Sequence, residues 1–194
     1  MSISVTLGRG LFHMLGVMVI PLAALFLPRI VFLMTLGVIT FVFLAFEFIR
    51  LKVPGVNRWF LSLFKPLLRG EETSRLTGAS YTFVGSLVAF LVFPRDIAVV
   101  AVSFLAVGDV MATIVGKRLG KTRLFGKTLE GDLACFVSCL IVGIIFYYAG
   151  LDVSLLIIVV GSLAATVAEA VLLPLPLNDN LTMPLFAGLV MVVI

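Results

Sequence analysis

Apolar residues run through this chain in long blocks and not in alternation. Seven stretches dominated by them stand out, at 11–27, 29–50, 76–93, 96–116, 131–150, 152–172 and 182–194. Most are about 20 residues long, enough for a helix to cross a hydrocarbon core of about 30 Å. The strand-like alternation that a membrane barrel requires is absent, which leaves helices as the way to satisfy the backbone in lipid. The pattern therefore predicts an all-α polytopic membrane protein, a helical bundle of about seven transmembrane helices. The last stretch is short by two turns, a length that suits entry into the membrane without a full crossing. The first does not read as a cleavable leader, because Pro21 and Pro28 stand where a small-residue cleavage site belongs.

Composition sharpens this picture. Of 194 residues, 62% are hydrophobic and only 12% charged, with a mean hydropathy of +1.27. Soluble domains carry roughly 25% charged residues, so this chain is expected to be integral to a membrane. Its length suits a single domain over residues 1–194, with no room for a separate soluble one.

Charge then orients the bundle. Basic residues stay in cytoplasmic loops. With seven spans, Arg9, the loop 51–75 with Arg50 at its border, and the loop 117–130 all fall on one face. That face holds twelve of the fourteen Lys and Arg residues, leaving Arg29 and Arg95 on the other. The N-terminus and both basic loops are thus expected to be cytoplasmic. Glu47, Asp109, Glu130, Glu169 and Asp179 fall toward the same face, whereas Asp96 and Asp152 lie outward beside turns. Carboxylates drawn into apolar helices cost roughly 2.5–3.5 kcal/mol each on insertion scales and usually mark function. A polar pocket at the cytoplasmic face follows. Within loop 51–75, Trp59, Phe60, Leu63 and Phe64 alternate with Arg58, Lys65 and Arg69, as in an amphipathic segment lying in the interface and anchoring the protein. Glu71, Glu72, Ser74, Arg75 and Thr77 follow it and are candidates to border the pocket.

The densest chemistry lies in GDVMATIVGKRLGKTRLFGKTLEG, residues 108–131. Gly108, Ala112, Gly116 and Gly120 form a ridge of small residues that suits close helix packing. Asp109, beside that ridge, is a candidate ligand for a divalent metal, since magnesium takes one or two carboxylates together with substrate phosphates. Exposed backbone at Gly116, Gly120 and Gly126 suits a phosphate cradle, with Lys117, Lys121 and Lys127 to neutralise it. Gly126, Lys127 and Thr128 do not make a P-loop, because the position five before Gly126 is Lys121, not glycine. Asn178, Asp179 and Asn180 form either a simple turn or a source of a metal ligand or base. His13, the only histidine, follows Arg9 by one turn and is within reach of a phosphate at that end of the first helix. Cys135 and Cys139, one turn apart, are expected to be packing residues.

These residues together resemble the CTP-dependent membrane lipid kinases, the family of dolichol and polyprenol kinase, phytol kinase and the fungal type of diacylglycerol kinase. Arg9 and His13 match the start of that family's pattern, with Gly10 at its second basic position. Glu47 with Arg50, and residues 69–71 through 77–81, match its middle. Gly108, Asp109, Gly116, Gly120, Lys127, Glu130 and Gly131 match its strongest block, and Glu169, Asp179, Asn180, Thr182 and Pro184 its end. The block at 108–131 is shared with the phosphatidate cytidylyltransferases. Their Ser-Pro-Lys-Lys-Thr run and their Pro-Gly-His-Gly-Gly signature are both missing here, which favours the kinase.

The resemblance implies CTP as phosphoryl donor, magnesium as cofactor and a lipid alcohol as acceptor, and no nucleic acid polymer as partner. It places Asp109, Asp179 and Glu130 at the metal, with Asp179 or Glu169 as base for the hydroxyl. Lys117, Gly120, Lys121, Lys127, Thr128, Glu130, Gly131 and Asn180 would meet the nucleotide, and Arg9, His13, Glu47, Arg50 and Arg75 would complete the pocket. A CDP-lipid synthase is the alternative reaction, and a small ion-coupled transporter the alternative class. The short last span leaves room for an oligomer.

Overall fold

The computed structural model describes residues 3–65, 68, 70–124, 127–170 and 178–194. Each of the seven apolar stretches is helical where it is described. In chain order the long elements are α1 (Ile3–Phe26), α2 (Arg29–Lys52), α4 (Gly78–Val92), α5 (Arg95–Phe104), α6 (Val110–Leu119), α7 (Leu129–Tyr148), α8 (Leu155–Ala170) and α9 (Asp179–Val193). A short α3 (Pro54–Phe64) follows α2, and β1 (Arg123–Leu124) pairs antiparallel with β2 (Lys127–Thr128) in a two-residue ribbon. The protein is an all-α membrane protein.

Segment lengths depart from seven equal crossings. Among the described residues, four helical stretches are long and apolar enough to span: Leu7–Phe26, Arg29–Lys52, Arg95–Leu119 and Leu129–Tyr148. Gly78–Val92, Leu155–Ala170 and Asp179–Val193 are shorter, at about 22–24 Å for a rise of 1.5 Å per residue. α9 begins three residues before its apolar stretch. Asn178 caps it, its side-chain oxygen accepting from the Asn180 N–H at 3.0 Å. The end of the sixth stretch, residues 171–172, lies outside the described residues.

At the centre runs the continuous helix of α5 and α6. Residues 98–106 expose nothing, and α1, α4, α7 and α9 all pack against α5. An apolar helix with no polar face belongs in such a position. α1 and α2 instead turn Phe12, Leu15, Phe26, Phe41 and Phe48 outward, toward lipid. Between α5 and α6, residues Leu105–Asp109 form a π turn. A π turn inserts a residue into the helix and is frequent at functional sites; this one ends on Asp109.

The small-residue ridge meets α7. A Cβ on Gly131 would lie 2.8 Å from the Ala112 carbonyl oxygen, and one on Gly116 would lie 2.7 Å from Thr128 Oγ1. Only glycine permits this approach. Cys135 and Cys139 are free and buried, with both sulfurs where a Gly108 side chain would be, so they are packing residues. At the opposite end of the bundle, Arg95 Nε donates to the Ala24 carbonyl at 2.8 Å, and Asp96 accepts from the Asp152 N–H at 2.8 Å. These contacts tie neighbouring segments together at that end.

Candidate functional site

Three carboxylates from three parts of the chain converge. Asp109 closes the π turn, Glu169 stands in the last turn of α8, and Asp179 opens α9; one oxygen from each lies within 4.8 Å of the others. Asp109 and Glu169 are buried, and Asp179 is half-buried. Lys127, on β2, reaches in. Its Nζ lies 2.6 Å from Glu169 Oε1 and 3.3 Å from Asp179 Oδ2, and it also donates to the Glu169 carbonyl. Burial pulls the Lys127 pKa down, but Glu169, Asp179 and Asp109 outweigh it and hold the ammonium above the ordinary 10.5.

Acids outnumber bases in this cluster: three carboxylates share one lysine in a mostly buried space. His13 Nε2 is 3.8 Å from Asp109 Oδ2, and Glu169 Oε2 has no hydrogen-bond partner among the described residues. Oxygen donors at this spacing, with spare lone pairs, fit a hard divalent cation such as magnesium.

A cavity of about 390 Å³ lies beside Asp109. α1 packs on α5 and α6, α2 packs on α4, and the cavity lies between these pairs. Val17, Ile20, Phe43, Phe60, Phe64 and Phe83 make its apolar wall. Asp109, His13, Glu72 and Asn180 supply polar groups, and Arg9 and Lys117 also line it. Such a space suits one long apolar group carrying a polar head.

Several expected site residues lie elsewhere. Glu130 stands apart from the carboxylate group; its oxygens accept from the Thr122 N–H at 3.1 and 3.3 Å and fasten the β1–β2 ribbon to the start of α7. Thr128 is the N-cap of α7, its hydroxyl accepting from the Gly131 N–H at 3.3 Å. Gly120 ends α6, and Lys121 is exposed beside it. Gly126 lies outside the described residues. Glu47 and Arg50 do not line the cavity. They form a wholly buried pair, with Arg50 Nε 2.6 Å from Glu47 Oε1, and Arg50 also holds the Arg75 carbonyl at 2.7 Å. Arg75 contributes that carbonyl, while its side chain is outside the cavity lining.

One residue escaped the sequence reading. Asp132, in the first turn of α7, is buried, its Oδ1 lacks a partner among the described residues, and it feels the charge of Lys127. Two acids begin that helix, and the Glu130-Gly131 motif drew the choice to the more exposed one.

No family model matches the sequence, and neither does any solved structure. Among curated proteins, an uncharacterized protein of Rickettsia prowazekii is 30% identical over 181 residues, 91% of this chain and 88% of that one. CTP-dependent diacylglycerol kinase 1 of Schizosaccharomyces pombe is 32% identical over 94 residues, 47% of this chain and 43% of the kinase. A probable chloroplastic phytol kinase of Triticum aestivum is 33% identical over 144 residues, 66% of this chain and 48% of that protein. Over these lengths the chain is similar to the CTP-dependent lipid kinases. It spans less than half the length of these two kinases, so the family's activity is carried to it as a proposal.

Proposed function

We propose that this protein is a CTP-dependent lipid-alcohol kinase, one catalytic domain that transfers the γ-phosphoryl group of CTP to a hydroxyl at the cytoplasmic face of the membrane. The observation that carries this reading is the convergence of Asp109, Glu169 and Asp179 within 4.8 Å, with Asp109 also lining a largely apolar cavity. Phosphoryl transfer depends on positioning and charge neutralisation more than on covalent chemistry. The names of the fungal and plant relatives point to the same reaction.

Asp109 and Asp179, with Glu169 beside them, would hold magnesium, which supplies charge neutralisation on the phosphates when bound. Lys127 orients Glu169 and Asp179 by donating to both. Lys117 and Arg9, at the cavity's charged border, attract the triphosphate. The acceptor's tail lies against the phenylalanines and its hydroxyl at the carboxylates. Glu169 or Asp179 takes the hydroxyl proton as its oxygen attacks the γ-phosphorus, the bond to the β-phosphate oxygen breaks, and CDP leaves. Twelve of fourteen basic residues on one face support the cytoplasmic orientation.

The test is purified protein in detergent with magnesium and CTP labelled at the γ-phosphate, offered diacylglycerol, polyprenol and geranylgeraniol. Label in an organic-soluble product is expected, and its mobility names the acceptor. Label that stays in the aqueous phase, while α-labelled CTP and phosphatidic acid give a CDP-lipid, replaces this reading with the synthase.

A further inference from the structure

Asn180 has been grouped with the nucleotide-binding residues, but its surroundings point to the acceptor. Its side chain is 3% exposed and borders the cavity. Nδ2 donates to the Gly78 carbonyl at 3.1 Å. That bond fixes the amide's orientation, because the flipped amide would set two acceptor oxygens against each other. Oδ1 is left buried with no hydrogen-bond partner among the described residues. Gly78 is itself held, its N–H donating to Glu72 Oε1 at 2.7 Å, and a Cβ there would lie 2.7 Å from Asn180 Nδ2. The amide therefore cannot turn to satisfy its oxygen.

A buried carbonyl oxygen without a donor costs about 1–3 kcal/mol, so a site that keeps one is built for a ligand that brings a donor. The neighbouring groups agree. Glu72 and Asp109 line the same cavity, and Asp179 precedes Asn180 in the chain. All are acceptors when ionised, and a phosphate monoester would add only more acceptor oxygens to them. A hydroxyl brings one hydrogen. Arg9 and Lys117 also line the cavity, with Lys117 eight residues beyond Asp109 toward the basic loop, and on the kinase reading the triphosphate takes them.

We infer that Asn180 Oδ1 accepts a hydrogen bond from the acceptor lipid's hydroxyl, docking it in the cavity beside Asp109 and selecting a lipid alcohol over a lipid phosphate. Asn180 is a binding and specificity residue in this role and takes no proton. The inference rests on the kinase reading of the same site and narrows its substrate.

The experiment is equilibrium binding of tritiated geranylgeraniol to the full chain in detergent without nucleotide, displaced by the unlabelled alcohol, its methyl ether or its monophosphate. Wild type is expected to bind the alcohol at least about fivefold more tightly than the ether, which keeps the tail and the oxygen and loses the donor, and more tightly than the monophosphate. N180L should erase the preference for alcohol over ether, and N180D, which keeps an oxygen there, should retain part of it. Retained CTP binding shows that a variant is folded, and the wild-type comparison stands without either variant. Equal binding of alcohol and ether, or tighter binding of the monophosphate, overturns the inference. So does an N180L protein that loses CTP affinity and keeps the alcohol preference. If γ-label reaches the alcohol but the ether binds as well, the Asn180 role fails and the kinase stands. If the alcohol is preferred but never labelled, the kinase reading fails and the docking role stands.

Discussion

Two buried ionic groups lie at the same end of this bundle, and they are built differently. In the first, Glu47 and Arg50 pair one charge with one charge at 0% exposure. Both carboxylate oxygens and all three guanidinium nitrogens are bonded: the Glu47 carboxylate also accepts from the Thr77 N–H at 2.8 Å and Ser80 Oγ at 3.3 Å. Arg50 also donates to Asn57 Oδ1 and to the carbonyls of Glu72 and Arg75, and its guanidinium lies 4.8 Å over the Phe60 ring. In the second, Asp109, Glu169 and Asp179 outnumber Lys127, and Glu169 Oε2 has no hydrogen-bond partner among the described residues. A neutral, fully satisfied network holds a shape. A charged, incompletely satisfied one awaits a ligand. The clamp fixes residues 72–77 against α2 and α3, and through Gly78 and Asn180 it reaches the start of α9, where Asp179 sits.

The largest way to break this contrast is D109N. It keeps the shape and removes one charge, so turnover should fall on the order of 10³-fold, with elution and thermal unfolding close to wild type. Near-normal turnover would remove Asp109 from the chemistry. E47A should do the reverse. Leaving Arg50 buried and unpaired costs about 3–5 kcal/mol, visible as earlier unfolding in detergent, and the residual folded protein should still bind CTP. Unchanged stability in E47A would show that the clamp does not hold the loop.

Magnesium sharpens the comparison at smaller scale. A cation that binds only the folded state stabilises it by about 2.7 kcal/mol at a hundred times its dissociation constant. Titrating magnesium should raise the unfolding temperature of wild type, with little response in D109N and a normal one in any E47A protein that folds. An equal response in all three would place the ion elsewhere.

The smallest effect concerns pH. The raised Lys127 pKa means that its ion pairs contribute fully below 10.5 and are lost as pH rises through the raised value. Stability should therefore be flat in this respect from pH 7 to 10 and fall above, and K127M should lack that alkaline component. Loss of the component near neutral pH would contradict the charge balance drawn for the cluster.

Much of this was legible in the chain because lipid imposes strong rules. Apolar blocks named the helices, and Asp109, Glu169 and Asp179 stood out as acids at the ends of apolar stretches. The ridge through Gly108, Ala112 and Gly116 foretold the tight crossing with α7. Glu130 and Asp132 were not separable, because which of two acids in one helical turn points inward depends on the neighbouring helix. Glu47 and Arg50 carried the same signal as the cluster, being charges in an apolar segment, and only their mutual bonding distinguishes a clamp from a site.

By itself, then, the sequence determined the solvent, the class of fold, the end of the bundle where polar chemistry gathers and the residue types available there. Hydropathy and charge act locally along the chain, so they can be read without knowing what packs against what. The tertiary structure alone decided which charges meet. It brought residues 109, 127, 169 and 179 together across four separate elements, spent Arg50 on Glu47 and left the buried Oδ1 of Asn180, a residue that lines the cavity, without a partner among the described residues. Pairing and burial depend on distances between segments remote in sequence, and electrostatic function depends on both.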